Sequence, residues 1–243
     1  KAVCSSEFQP AEVHMINAYF NWSSGKDSAM ALYYAEKYGK YDIRSLFTII
    51  KKEESKIAMH EISIDLLRRQ ADAIGIPLSV LEYDLAAPEE EFRSAMNRQM
   101  ERFKDQNIAA ALFGDLYLEE LRKRREDNCR LQGIRAEFPL WGMDTRELLY
   151  EFIKQGFKSI VTCVDGSVLD ETFVGRIIDE SFIHDLPPNA DICGENGEYH
   201  SFVFDGPIFS KPVDFEIGRK YYRDYPKDDD ISKQNRYWYL ELK

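Results

Sequence analysis

Apolar residues crowd the stretch 16–22, which ends at a Ser-Ser-Gly turn, and this predicts a buried strand. From 27 to 38 the spacing becomes helical, with Ala31, Tyr34, Ala35 and Tyr38 on one face and Gly39 as a stop. A second strand is predicted at 44–50. Ile64, Leu67, Ala71 and Ile74 form the stripe of a helix over 61–74, closed by Gly75 and Pro77. A third strand follows at 78–83. Pro88 opens a helix running to about 105, with Glu89, Glu90 and Glu91 in its first turn, where the helix dipole favours negative charge. A fourth strand at 108–113 ends at Gly114-Asp115.

Strand and helix thus alternate four times, which implies an α/β fold with a parallel sheet covered on both faces. Ligands of such sheets bind beyond the carboxyl ends of the strands, where the turns at 23–28 and 114–115 converge. The second half reads differently. A helix is predicted at 147–155 and a strand at 159–164. Turn-rich residues fill 185–198, and strands are expected at 199–204, 213–217 and 237–242. This implies a smaller, partly antiparallel α+β domain over 143–243, beside a first domain over 15–142. Met15 reads as a natural start, with residues 1–14 an extension or a cloning remnant. Asp228-Asp229-Asp230 reads as a solvated loop.

Composition narrows the class. No apolar run reaches the roughly 18 residues of a membrane span, and no basic-then-apolar segment opens the chain. Cys4, Cys129, Cys163 and Cys193 are scattered without a C-x-x-C pair, so reduced thiols in a cytoplasmic protein are expected rather than zinc or disulfides. The net charge of −11 argues against nucleic acid as a partner, because phosphate backbones are held by clustered Lys and Arg. One basic cluster exists, 122–125, but its residues lie on a helix and cannot all face one way, so most read as a solvated face and one or two as reaching a phosphate or an acidic macromolecular substrate. Self-association is left open.

The turn Ser23-Ser24-Gly25-Lys26-Asp27-Ser28 carries the chemistry. Gly25 lets the backbone approach a phosphate, helix-terminal N–H groups point at the anion, three serines add hydroxyls, and Lys26 adds a charge. It is not a Walker loop, since Phe20 and Asp27 stand where that motif needs Gly and Ser or Thr. Asp27 beside a phosphate site suits a Mg²⁺ ligand. On spacing alone, a plain helix cap with a tight turn fits equally well.

The segment 22–28 resembles the S-G-G-K-D-S loop of PP-loop ATP pyrophosphatases, with Ser24 in place of the first glycine. Phe113-Gly114-Asp115, the charged helix with Glu126 and Cys129, Phe138-Pro139-Leu140-Trp141-Gly142, the run 191–202 and Asp205-Gly206-Pro207 together resemble the diphthine–ammonia ligase family, in its short bacterial form. The resemblance implies a Rossmann-like adenine nucleotide α-hydrolase sheet with a family-specific second domain. It also implies an AMP-forming ligase: ATP adenylates a substrate carboxylate, releases pyrophosphate, and ammonia then gives an amide. The family's named substrate is diphthine on elongation factor 2. This chain departs from the family's E-G-G-E-x-E-T at 195–201, so the substrate is not carried over.

On that resemblance, Lys26 and Asp27 act on the phosphates, and Ser23, Ser24, Gly25, Ser28, Thr48, Gly114 and Asp115 contact ATP, with a plain polar strand end fitting Thr48 equally well. Glu195 and Glu198, on a flexible Gly-rich loop, bind metal, hold the amine or act as base. His60, Arg122 and His200 are substrate candidates, with helix capping or a solvated face as their plainer roles. Two other readings stay open: a PP-loop tRNA-modifying enzyme using reactive cysteines, and an ATP- or AMP-binding sensor without turnover.

Overall fold

The computed structural model describes residues 15–57, 60–84, 86–227 and 230–243. The extension at 1–14, and Asp228 and Asp229 of the acidic triplet, lie outside the described residues.

The first half follows the predicted alternation: β1 (Ile16–Asn21), α1 (Lys26–Tyr38), β2 (Tyr41–Lys51), a two-residue β3 (Lys56–Ile57), α2 (Ile64–Ile74), β4 (Leu78–Tyr83), α3 (Glu89–Asp105), β5 (Ala110–Leu112), α4 (Glu119–Leu131) and β6 (Arg135–Glu137). Ser63 starts α2 by accepting the Leu66 N–H on its hydroxyl, so this helix begins with the first residue of its apolar stripe, Ile64, rather than at 61 as expected. Strands β4, β2, β1, β5 and β6 are parallel neighbours in that order, and β3 adds antiparallel to the end of β2. The order reverses direction between β1 and β5. That gap is the switch point of a doubly wound sheet, where a crevice opens at the strand ends.

Alternation along β1 sends Ala18 and Phe20 to one face and Tyr19 to the other. Helices α1 and α2 cover the first face through Met30, Leu32, Leu66 and Leu67. Helices α3 and α4 cover the second through Met100, Phe103 and Cys129, with Tyr19 stacked on Phe103 at 4.6 Å.

After α5 (Thr145–Lys154) come β7 (Lys158–Asp165), α6 (Glu180–Asp185), β8 (Tyr199–Asp205), β9 (Ile217–Lys227) and β10 (Asp230–Leu242). These four strands form a separate antiparallel sheet in the order β8-β7-β10-β9. The strand expected at 213–217 is not there. Val213 and Phe215 do bury themselves against β8, but as irregular chain, and Ile217 is 64% exposed. The strand proper starts at Ile217, in a stretch whose polar residues hide its pattern. Pro226 is tolerated in it because β9 is the edge strand. Phe202, Val161 and Leu240 of this sheet join Phe20, Leu32 and Leu66 in one hydrophobic cluster, so the two sheets share a core. No helix among the described residues is long and apolar enough to cross a membrane.

Candidate active site

The turn after β1 is clamped from three sides. Trp22 donates its backbone N–H to Phe47, and its carbonyl accepts from the Thr48 hydroxyl at 2.7 Å. Its indole N–H donates to Gln70, whose own amide donates to the carbonyls of Ser24 and Val203. Val203 N–H also donates to Ser24. Ser24 takes φ +73°, the left-handed conformation that favours glycine, and its hydroxyl is buried without a partner. Gly25 is extended instead, so the need for glycine there is space: a Cβ would sit 3.2 Å from the Ser201 carbonyl oxygen. Helix α1 then begins at Lys26 and aims its N-terminal amides into the crevice.

Gly114, after β5, meets the same turn. A Cβ on it would lie 3.0–3.1 Å from the backbone of Asp27 and Ser28. The two turns thus touch at the switch point and enclose a cavity of about 210 Å³. Lys26, Asp27, Asp115, Glu195, His60 and His200 face into it. Ser23 and Ser28 hydroxyls pair at 2.7 Å along its floor.

The Lys26 ammonium is buried and lies 2.7 Å from both carboxylate oxygens of Asp27. Burial works against its charge, but Asp27, then Tyr199 and Cys193, outweigh this, and its pKa is raised. Lys26 is therefore a cation at neutral pH. Asp115 is held by Arg125 through two hydrogen bonds, one of 3.1 Å. Glu195 accepts the Leu116 N–H at 2.9 Å, and burial pushes its carboxyl up to about 7.

A second cavity, of about 680 Å³, lies between the sheet and helices α3 and α4. Its walls are mostly apolar, among them Phe47, Ile49, Phe92 and Phe113. Asn21 and Arg125 line both cavities, so the two meet at that point.

Sequence models of two domains match this chain: the diphthamide synthase N-terminal domain over residues 16–136 and its C-terminal domain over 144–237. The chain belongs to the diphthamide synthase family. Diphthine–ammonia ligases are among its similar proteins. That of Bos taurus is 30% identical over 97 residues, covering 38% of this chain and 36% of the relative. That of Danio rerio is 25% identical over 62% of this chain and 64% of the relative. That of Schizosaccharomyces pombe is 24% identical over 79% of this chain and 34% of the relative. The chain thus spans about a third to two thirds of the length of these curated relatives. Among solved structures, the U34-tRNA thiolase NcsA from Methanococcus maripaludis, with its [4Fe-4S] cluster, is 15% identical over 57% of this chain and 55% of that one, with a TM-score of 0.36.

Within this diphthamide synthase fold, the structure separates the residues singled out from sequence. Ser23, Gly25, Lys26, Asp27, Ser28, Gly114, Asp115, Glu195, His60 and His200 line the smaller cavity. Ser24 shapes the turn but is itself fully buried. Three residues fall elsewhere. Thr48 is buried and braces Trp22 rather than lining either cavity. Arg122 lies over Trp141 and pairs with Glu126, on a face of α4 that points away from the site. Glu198 accepts the N–H groups of Asp191 and Asn196 and the Asn196 amide, so both its oxygens are engaged. With Asp191 accepting from Cys193 and Glu195, residues 191–198 are joined by a network of hydrogen bonds within the loop. Glu195 alone of the acid pair faces the cavity.

Residues that sequence reasoning missed are Asn21, Gln70, Tyr199 and Ser201, and Arg125 was not singled out from a cluster of which one or two members were expected to reach a phosphate. Arg125 was hidden within its basic cluster; its helical phase relative to Cys129, one turn on and buried, marks it as inward. Gln70, on the apolar side of α2, carried no sequence signal beyond being a polar residue in that stripe. The thiols of Cys129 and Cys163 are pushed up to about 11 and 12 by burial, and that of Cys193 is raised by burial as well. None of these three is a ready nucleophile.

Proposed function

We propose that this protein is an ATP-dependent ligase that adenylates a substrate carboxylate and converts the acyl adenylate to an amide with ammonia. The observation that carries this reading is the junction of the two cavities at Asn21 and Arg125. A mostly apolar pocket sized for a nucleoside opens there into a small polar pocket built on a helix N-terminus, a buried lysine and a carboxyl titrating near neutrality. The names of the relatives, diphthine–ammonia ligases, support the same chemistry.

In this reading the adenine and ribose occupy the pocket under α3 and α4. The α-phosphate lies near Arg125, and the β- and γ-phosphates lie on the turn at 23–28. Arg125, Lys26 and the α1 amides stabilise charge as it moves onto departing pyrophosphate. A carboxylate oxygen of the substrate attacks the α-phosphorus, and the bond to the β-phosphate oxygen breaks. Ammonia then attacks the acyl carbon, AMP leaves, and Glu195 takes the proton released from nitrogen. Its pKa near 7 suits that task.

Among the described residues no group of three His, Cys, Asp or Glu forms a metal cage. Mg²⁺ does not need one, since it is held by one or two carboxylates together with substrate phosphates. Asp27, partly exposed at the mouth of the turn, fits that role. The ion would supply further neutralisation of the phosphates.

The test is product analysis with ATP, Mg²⁺, ammonium and a panel of carboxylates, diphthine-bearing elongation factor included. Carboxylate-dependent formation of AMP and pyrophosphate is expected, with one carboxylate oxygen of labelled substrate appearing in AMP. Formation of ADP and phosphate, or nucleotide binding with no turnover on any carboxylate, would overturn the reading. The high thiol pKa values weigh against sulfur transfer through Cys129, Cys163 or Cys193.

A further inference from the structure

One wall of the smaller cavity takes no part in the steps above. It consists of His60, at the turn before α2, and His200, on β8. Their rings lie 4.4 Å apart with an interplanar angle of 32°. The His60 ring also abuts Gly25: its Cε1 is 3.6 Å from where a Cβ there would sit. The Nδ1 of His60 is buried and has no hydrogen-bond partner. A buried polar nitrogen without a partner disfavours folding, and such groups recur where a ligand completes the bond.

The two imidazoles are also neutral. Burial lowers both, with His200 and then Lys26 adding to the effect on His60, and Lys26 to that on His200, which falls to about 4. A neutral imidazole offers one N–H donor and one acceptor. This wall therefore adds hydrogen bonding beside Lys26 without adding charge.

Position says what the pair would meet. The Asp27–Ser28 end of the turn touches Gly114, beside Asp115 and Arg125. The Gly25 end touches His60 and Ser201. A nucleotide that enters at Arg125 from the larger cavity therefore runs its phosphates along the turn toward the histidines. Resting on that reading of the nucleotide's path, we propose that His60, backed by the ring of His200, is the hydrogen-bond donor that recognises the terminal phosphate of a nucleoside triphosphate. The pair thereby sets the preference for triphosphate over monophosphate.

The test is calorimetry on the full chain with Mg²⁺–ATP, AMP and inorganic pyrophosphate. His60→Phe keeps the stacked ring and removes both nitrogens. Loss of a hydrogen bond to a charged group corresponds to roughly 10- to 100-fold in affinity. His60→Phe is therefore expected to weaken ATP and pyrophosphate by about that factor and to leave AMP within about twofold. His60→Asn, which returns an amide nitrogen near the place of Nδ1, is expected to recover most of the loss and guards against a folding defect in the Phe variant. If ATP and AMP weaken equally, or neither does, the assignment of His60 fails while nucleotide binding stands. If the unmodified protein takes up neither ATP nor AMP, the nucleotide reading itself fails and this inference with it.

Discussion

The side-chain amide of Gln70 donates to the carbonyl oxygen of Ser24 at 3.1 Å, so helix α2 fixes the turn at 23–28 from below. The same amide donates to Val203 at 2.6 Å, and the Gln70 oxygen accepts the Trp22 indole N–H at 2.9 Å. Gln70 is fully buried and ties the turn to both sheets. Gln70→Leu would strand the Trp22 N–H in the core and remove a donor from each carbonyl. Stranded buried groups cost about 1–3 kcal/mol each, so a loss of about 2–4 kcal/mol in urea unfolding is expected. Gln70→Glu should be worse at pH 7, since it sets a carboxylate against two carbonyl oxygens. A Gln70→Leu loss below about 0.5 kcal/mol, the range of an ordinary surface change, would show that the clamp carries little stability.

Ser24 offers a test of the turn's geometry. It holds φ +73° with its hydroxyl buried and unpartnered. The left-handed conformation costs a non-glycine residue about 1–2 kcal/mol, while glycine loses about 0.5–1 kcal/mol more in ordering. Ser24→Gly is therefore expected to be neutral to stabilising by about 1 kcal/mol, helped by removal of the orphan hydroxyl. Ser24→Val should destabilise strongly, because a β-branched residue is a genuine outlier at positive φ. Thermal melts of the two variants check both signs.

These clamps explain what sequence could and could not show. The strand–helix alternation and the turn at 23–28 were legible because apolar period and turn chemistry are local. The polar run before Pro226 masked β9, since an edge strand with one exposed face needs few apolar residues. Three-residue β6 has no period to read. At the site, Lys26, Asp27 and Asp115 stood at strand ends and could be placed from topology. Glu195 and Glu198 look equivalent in sequence, yet hydrogen bonds from Asp191 and Asn196 turn one into a loop tie. Thr48 braces the turn through the Trp22 carbonyl, and Gln70 through the Trp22 indole and the carbonyls of Ser24 and Val203; which groups they reach is a tertiary fact.

Arg125 and Arg122 sit three residues apart on α4 and make opposite predictions. Arg125 lines both cavities beside Asp115, whereas Arg122 stacks over Trp141 outside them. Arg125→Met is expected to weaken ATP by about tenfold or more, the scale of a charge-assisted contact. Arg122→Met should leave ATP affinity within about twofold, losing a surface ion pair with Glu126 and the cation–π contact with Trp141, both outside the cavities. Equal effects in calorimetry would place the nucleotide elsewhere.

Lys26→Met removes the cation from the turn while keeping a side chain of similar length. ATP affinity is expected to fall by about 10- to 100-fold, since hydrogen bonds to charged groups are worth about 1.5–3 kcal/mol. The variant also leaves Asp27 without its partner at 2.7 Å. Folding should therefore be checked alongside binding, and Lys26→Met with Asp27→Asn should recover stability without recovering affinity. Restored affinity in the double variant would mean that Lys26 serves the fold and not the phosphates.

Glu195 makes the pH dependence predictable in sign. Burial raises its carboxyl from an ordinary value of 4.5 to about 7, so it is protonated in mildly acidic solution. A base must be ionised, and amide formation should therefore climb as pH rises through about 7 and then level. Hydroxylamine in place of ammonia is a far weaker base and is mostly neutral at pH 7, so, with rates expressed per concentration of the free amine, the enzyme's own titration is read. Glu195→Gln should remove this limb and slow amide formation by about 10²- to 10⁴-fold, with carboxylate-dependent pyrophosphate release retained. Stability moves the other way. Because the folded pKa lies above the unfolded one, the group's contribution is complete below about 4.5 and is lost as pH rises through about 7. Gln keeps the acceptor for Leu116 N–H and never ionises. Urea unfolding of Glu195→Gln should match the unmodified protein below pH 4.5 and exceed it at pH 8. A rate profile unchanged by the substitution would remove Glu195 from the chemistry, even if the stability difference were found.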